Sequence, residues 1–397
     1  MFNKTNLVLG LVQGFYWMAS CLFISFMVRL LHGYGYDDYQ IGITLTFASL
    51  ASVVIQPLAG RIADRIGSVK KLLVAGLLSA VFGAIALDRL SHYTMAVYLL
   101  IPLIFGIFRS LIYIIDLWSL SNGRIYRNVS YGFTRSFGAV FYAVSAVFFG
   151  SFIDRYGTNI IIPFFCLFSV TAVAMTLLIK TPKDTAKTLS RSKSIPIGKA
   201  VKLLLTNKAY IGLLISYTLV EMSCISHQNY LTRKFEVLGA GDFYTGLSLL
   251  VMGLLQLFPL LLNTRLTSRF SPSFLMMICL AGLNLRTLIL AFSTTPIGTM
   301  CAFLTEPFAF GLYIGTILYY MNSILPENIR YLGMTMYAAL TAGIGGMTGN
   351  FLAGYISKAF GILPMMKYLA LPAMLGLIVY CVLYATHRSE LSRNPRT

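Results

Sequence analysis

Residues Gln56–Lys71 read QPLAGRIADRIGSVKK, with one apolar run leading into the stretch and another leaving it. It carries Gly60, Asp64, Arg65, Gly67, Lys70 and Lys71. A short charged turn between two apolar helices of membrane length is a hinge at a membrane surface. The helices satisfy their own backbone polar groups inside a bilayer, and a charged turn cannot. The spacing recurs in GSFIDRYG, with Gly150, Asp154 and Gly157, and in GYISKAFG, with Gly354, Lys358 and Gly361, where Lys replaces the Asp. One Gly-x3-Asp-x2-Gly carries little weight. Three copies, each at the end of an apolar helix, point to an internally duplicated chain, and repeated structural units are common in secondary transporters.

Composition leads to the same class. Of 397 residues, 57% are hydrophobic and 11% charged, against about a quarter charged in soluble domains. The net charge of +18 does not indicate a nucleic-acid partner, because the Lys and Arg residues lie in short segments between apolar runs and form no basic domain. The excess of positive charge in cytoplasmic loops accounts for them better. The six cysteines fall inside apolar runs with no CxxC spacing, so they read as packing residues rather than disulfides or metal ligands. The first apolar run is too long for a signal core and has no A-x-A-like site after it, so it reads as a spanning helix. No nucleophile–base pair, metal spacing or phosphate loop is present. The chain is therefore not expected to be an enzyme or to need a cofactor or metal.

A spanning helix needs about 20 mainly apolar residues. Twelve runs meet this: 7–31, 39–60, 72–88, 94–117, 131–153, 158–179, 209–232, 243–263, 273–292, 297–321, 331–356 and 364–386. The polar stretch 181–200 divides them six and six. The expected fold is an all-α integral membrane protein of twelve transmembrane helices, with an N-terminal half (1–180), a cytoplasmic linker (181–200) and a C-terminal half (201–397). With the N-terminus inside, Lys4, Arg61, Arg65, Lys70, Lys71, Arg124, Arg127, Arg265, Arg269, Arg330 and the basic linker and tail all fall inside. Both termini are then cytoplasmic and the protein is multi-pass in the cytoplasmic membrane. The linker's lysines could rest on anionic headgroups. Gly343, Gly345, Gly346, Gly349 and Gly354 in the eleventh run suit close helix packing, flexing, or both.

A charge near the middle of a spanning helix costs roughly 2.5–3.5 kcal/mol on insertion scales and usually faces a cavity or a partner. The deep candidates are Arg109, Asp116, Arg135, Glu221, Arg286 and Glu306. Arg109 and Asp116, seven apart, share a helical face. Asp116 with Arg135 and Glu306 with Arg286 are natural pairs, and Glu221 is left over. Equal numbers of acids and bases suit a neutral or zwitterionic small molecule. Burial raises a carboxylate's pKa and a nearby Arg lowers it, so an acid whose Arg can turn to substrate can carry a proton. Glu306, followed by Pro307 and near Arg286, is the first candidate, and Glu221 the second. Static pairing between helices is the alternative for any one of these residues.

The turn at Gly60, Asp64, Arg65 and Gly67, followed by Lys70 and Lys71, resembles the signature between the second and third helices of the major facilitator superfamily, with Ser68 where a basic residue is usual. More narrowly, GFYWMASCLF (14–23), QIG (40–42) and QPLAGRIADRIG (56–67) resemble the lactose permease, oligosaccharide–proton symporter and phenylpropionate permease-like branch. So do Tyr131-Gly132, Arg135, Phe137-Gly138 and Tyr142 in the fifth helix. The resemblance implies that Arg135 bonds sugar hydroxyls and pairs with a helix-four carboxylate, here Asp116, while Tyr142 stands where a Trp usually stacks on the sugar ring. Trp17, with Arg109, would complete the substrate-binding set. Arg286 matches the family's helix-nine Arg. Glu306 stands at the usual His position and Ala309 where the proton-carrying Glu is usual, and Ser248 lies near the place of the helix-eight Glu. These departures point away from a lactose permease proper. The resemblance also implies alternating access, latched by the Gly60–Gly67 turn, in a monomer driven by the proton gradient. The expectation is proton-coupled symport of a neutral, hydroxyl-rich solute such as a sugar or glycoside. The alternative is proton-driven efflux of drugs or apolar metabolites. The 17 Met residues suit it, but 131–153 lacks the Gly-Pro ending of the exporter motif.

Overall fold

The structure is a computed structural model that describes residues 4–66, 68–125, 131–179 and 197–386. Gly67, linker residues 181–196 and the tail beyond 386 lie outside the described residues, as do the side chains of Gly60, Asp64 and Arg65. Every regular element among the described residues is helical. In chain order they are α1 (Lys4–Ser20), a π-helical turn (Cys21–Ser25), α2 (Met27–Gly33), α3 (Asp38–Ile66), α4 (Val69–Leu90), α5 (Thr94–Ile125), α6 (Tyr131–Tyr156) and α7 (Ile161–Leu177). Then follow α8 (Ile197–Thr206), α9 (Lys208–Asn229), α10 (Leu231–Val237), α11 (Asp242–Arg269), α12 (Pro272–Phe292), α13 (Pro296–Cys301) and a 3-10 turn (Ala302–Thr305). The chain ends with α14 (Phe310–Ile324), α15 (Glu327–Leu340), a π-helical turn (Thr341–Gly345), α16 (Gly346–Phe360), α17 (Ile362–Tyr368) and α18 (Leu371–Thr386). The end of the predicted linker, from Ile197, is already the first turn of α8.

Eleven of these helical stretches are long and apolar enough to cross a bilayer. The predicted run 331–356 is built from α15, the second π turn and α16; its threonines, glycines and Asn350 dilute its hydropathy. Outward-facing Phe82, Leu99, Leu178 and Phe292 are exposed, as expected where lipid rather than water covers the surface. Helix starts follow local chemistry. Asn207 Oδ1 accepts from Tyr210 N at 3.0 Å, and Thr295 Oγ1 from Gly298 N at 3.1 Å with Pro296 at the first helical position. Both are standard ways to satisfy free amides at a helix start. Two copies of the glycine repeat end alike: Gly157 closes α6 at φ 79° and Gly361 closes α16 at φ 89°, a backbone conformation that L side chains resist.

The described chain falls into two compact units, 1–191 with 239–250, and 192–238 with 251–397. The boundary therefore cuts α11 after Leu250. In the first unit α1 packs on α6 and α7, and α5 on α3 and α4. Gly10 and Gly14 of α1 lie under the rings of Phe137 and Phe141, and Gly138 of α6 lies under Trp17. Small residues thus let these two helices approach closely. Asp154, from the second glycine repeat, accepts hydrogen bonds from Asp242 N at 2.7 Å and Phe243 N at 2.9 Å, and Arg29 Nε meets Asp242 Oδ2 at 2.8 Å.

In the second unit α9 packs on α16 and α18, and α12 on α14. Gly345 and Gly349, from the predicted glycine cluster, face the backbone of α9 at Thr218 and Met222. This is the close-packing reading of those glycines. His227 is buried on α9, with its ring nitrogens at 2.7 Å from Ser223 O and 3.0 Å from Met366 O. Lys234 of α10 is fully enclosed and donates to Leu290 O and, at 2.7 Å, to Ser293 Oγ. It thereby ties down the end of α12, and burial pulls its ammonium down to about 8.

Candidate functional site

Among the described residues, each unit holds a polar constellation built from an arginine, an acid and a glutamine. In the first unit the three come from α6, α5 and α1. Arg135 Nε stands 3.8 Å from Asp116 Oδ1. Gln13 Nε2 donates to the same Oδ1 at 2.9 Å and lies 3.5 Å from Ser119 Oγ. Trp17 Nε1 donates to Gln13 Oε1 at 3.2 Å, and the Arg135 guanidinium sits 4.4 Å above the Trp17 ring. Trp17 thus fixes both the amide and the guanidinium, the latter by cation–π attraction worth about 0.5–2 kcal/mol. The site remains open, since the Arg135 and Asp116 side chains are 34% and 24% exposed. Both contacts to Asp116 fall on Oδ1, so among the described residues Oδ2 is unengaged. So are the outer nitrogens of Arg135. A solute hydroxyl can use both.

Tyr142 and Arg109, the remaining predicted residues of this set, lie around it. Tyr142 shares a hydrogen bond with Ser25 Oγ at 2.8 Å, in the π turn, and presents its ring at 78° to Trp17, 6.0 Å away. Trp17 rather than Tyr142 carries the arginine. Arg109 stands 5.8 Å over the Phe105 ring and makes no ion pair with a carboxylate among the described residues. Two helical turns separate it from Asp116 by about 10 Å along the axis, so sharing a face does not bring the two charges together. Tyr16 is spent on packing: its hydroxyl donates to Phe108 O at 2.7 Å and its ring stacks on Phe108. Tyr113 is exposed.

In the second unit Arg286 Nη1 meets Glu306 Oε2 at 3.0 Å, and Gln256 Nε2 donates to Glu306 Oε1 at 2.8 Å. This set is closed: the side-chain exposures of Arg286 and Glu306 are 7% and 0%. The predicted helix 297–321 is not continuous. It breaks at Glu306–Ala309, between the 3-10 turn and α14. Pro307 lacks the amide that a continuing helix needs, and Gly311 N reaches back to Glu306 O at 3.1 Å. Gly282 of α12 makes room for the break, because a Cβ there would lie 2.5 Å from Phe308 O. Glu306 thus stands where a spanning helix is unwound, and discontinuous helices mark ion and substrate sites in many transporters.

Glu221 is half-buried on α9, with its Cβ against Gly345 in the second π turn. One turn before it, Tyr217 stacks on Tyr313 at 4.4 Å, and Tyr313 Oη donates to Tyr337 Oη at 3.1 Å. These three rings are buried and belong to the core of the unit. The predicted gating residues Gly60, Asp64, Arg65 and Gly67 cannot be placed at the level of side chains, as they lie outside what is described. Among the described residues, no group of three or more His, Cys, Asp or Glu could hold a metal ion.

Sequence reasoning missed Gln13 and Gln256. The signal available was a lone amide inside an apolar run, which needs a partner once water is excluded. Gln13 also stands four residues before Trp17, on the same face.

Comparison with known proteins agrees with this architecture. The chain matches the MFS_1 like family over residues 9–368. It is 24% identical over 328 residues to the uncharacterised transporter YwbF of Bacillus subtilis (strain 168), covering 80% of this chain and 77% of that protein. It is also 24% identical over 357 residues to a maltose permease of Geobacillus stearothermophilus, covering 88% of this chain and 86% of that protein. Among solved structures, the nucleoside transporter NupG superposes with a TM-score of 0.81 at 14% identity, over 96% of this chain and 99% of that one. An inward-facing, occupied bacterial homologue of the human lysosomal transporter Spinster gives 0.67 at 12% identity, over 98% of each chain. These structural likenesses concern the fold. With an all-helical, membrane-length architecture and a family match across nearly its whole length, the chain belongs to the MFS_1 like family, within the major facilitator transporters.

Proposed function

We propose that this transporter moves a neutral, hydroxyl-rich solute, a sugar or glycoside, by proton-coupled symport. The observation that carries the reading is the contrast between the two constellations. Arg135 and Asp116 are partly exposed, loosely paired at 3.8 Å and have unengaged donors and an acceptor beside an indole ring. This suits hydroxyl binding with an aromatic face for the sugar's apolar side. Arg286 and Glu306 are enclosed and tightly paired at 3.0 Å. An enclosed carboxylate whose charge is balanced by one arginine can exchange that balance for a proton when the site opens. The 24%-identical relative described as a maltose permease supports the solute class.

In the proposed cycle the site opens alternately to each side of the cytoplasmic membrane. Both termini are cytoplasmic and the Asp64/Arg65 turn latches the cytoplasmic side. The working unit is a monomer of two six-helix halves joined by the linker, with no cofactor beyond the proton gradient. Glu306 carries the proton; Glu221 is the second acid to test.

The experiment is solute-induced pH change in a lightly buffered suspension of cells expressing the protein, using sugars, glycosides and nucleosides. Alkalinisation with one class, lost in Glu306→Gln, is the expected result. Silence with every solute, for protein shown to be in the membrane, would overturn symport and turn attention to dye extrusion.

A further inference from the structure

The two glutamines do the same thing to two acids but are held differently. Gln13 is locked. The indole Nε1 of Trp17 can only donate, and it donates to Gln13 Oε1 at 3.2 Å. The Gln13 NH2 must therefore face Asp116, at 2.9 Å. An amide held this way offers Asp116 Oδ1 a donor only and cannot turn over. Gln256 is half-buried on α11, and its one hydrogen bond among the described residues runs from Nε2 to Glu306 Oε1 at 2.8 Å. Nothing among the described residues donates to its Oε1. The amide can turn over about its last side-chain bond and present either its NH2 or its carbonyl.

We infer that Gln256 is the positioning residue that lets Glu306 exchange a proton, while the Trp17-locked Gln13 holds Asp116 in one orientation for substrate. This rests on the proposed symport through Glu306. In the ionised state Glu306 accepts from Arg286 on Oε2 and from the Gln256 NH2 on Oε1. When a proton from water adds to Oε1, the new O–H is a donor facing a donor. The Gln256 amide then turns, its Oε1 accepts that O–H, and Arg286 stays on Oε2. Each oxygen of the Glu306 carboxyl group keeps a partner in both states, which matters because an unpaired buried polar group is costly. The second unit's other ionisable groups around this pair are Cys224 and Glu221 on α9, with His227 a turn further and Lys234 beside His227. Of the residues around the carboxylate, Arg286 and Gln256 are the two bonded to it.

The test compares proton-driven net uptake of solute with solute exchange across the membrane, the amount of each variant in the membrane measured. Gln256→Leu leaves Glu306 Oε1 without its partner in either state, so net uptake falls about tenfold while exchange, which needs no net proton transfer, is kept; Gln256→Met serves if the leucine variant does not reach the membrane. Gln13→Leu raises the KM several-fold in both assays, because it loosens the Asp116 carboxylate at the solute site. Undiminished net uptake in both Gln256 variants, or an equal loss of uptake and exchange, with alkalinisation still lost in Glu306→Gln, would overturn the role of Gln256 alone. Alkalinisation that survives Glu306→Gln would overturn the underlying reading and this inference with it.

Discussion

A Cβ on Gly138 would stand 2.5 Å from Trp17 Cδ1 and 3.0 Å from Arg135 Nη1. The indole can lie under the guanidinium because residue 138 has no side chain. Gly138→Ala is therefore expected to push Trp17 out of register and weaken the hold on both Arg135 and Gln13. Losing the stacked arrangement, worth about 0.5–2 kcal/mol, should raise the KM for uptake roughly tenfold. Gly198→Ala, whose added Cβ meets nothing within 4 Å, is the control. Equal KM values for the two variants would show that the indole does not position the arginine. At this scale the charged pairs were legible, because a charge inside an apolar run demands an explanation. Arg286 and Glu306 were joined from sequence, as were Arg135 and Asp116. The neutral glutamines were not found, since an amide bears no such penalty until its surroundings are known. Arg109 shares a face with Asp116 but not a height, because helical periodicity fixes the first and not the second.

The break at Glu306–Ala309 shows what an average over an apolar run conceals. Pro307 was visible, yet hydropathy across 297–321 reads as one helix because it records transfer to lipid and not which amide bonds which carbonyl. The π turns at Cys21–Ser25 and Thr341–Gly345 escaped for the same reason. Such turns inside helices recur at functional sites, and here Ser25 of the first one bonds Tyr142 while Gly345 of the second faces Glu221. The shape of the break depends on its neighbour. A methyl group on Gly282 would come within 2.5 Å of Phe308 O, 2.6 Å of Phe308 C and 2.9 Å of Ala309 N. Backbone atoms cannot swing aside as a side chain can. Gly282→Ala should therefore cost about 1–3 kcal/mol, as overpacking usually does. It should lower the thermal unfolding midpoint of the purified protein and depress uptake more than an alanine at Gly198. An unchanged midpoint would mean that the unwound segment is compliant rather than held.

For the whole molecule, the glycine repeats raised the expectation of a duplicated chain, and the polar linker the expectation of where to divide it. Neither revealed that α11 serves both units, with Asp242–Leu250 in the first and Val251 onward in the second. A linear sequence does not record which neighbours a long helix meets along its length. The start of α11 is held by the Asp154 carboxylate on two backbone amides and by Arg29 on Asp242, the latter side chain only 4% exposed. The strength of the Arg29–Asp242 pair should therefore set how firmly the start of α11 is held and, in the proposed cycle, part of the transport rate. Arg29→Gln would leave the Asp242 carboxylate enclosed without this partner, which costs more than removing both charges. Arg29→Gln should therefore lower the unfolding midpoint and slow uptake, and adding Asp242→Asn should restore part of both. Two side chains in contact give non-additive effects in a double-mutant cycle. If instead the double variant lost the sum of the two single losses, the pair would not be what holds the start of α11.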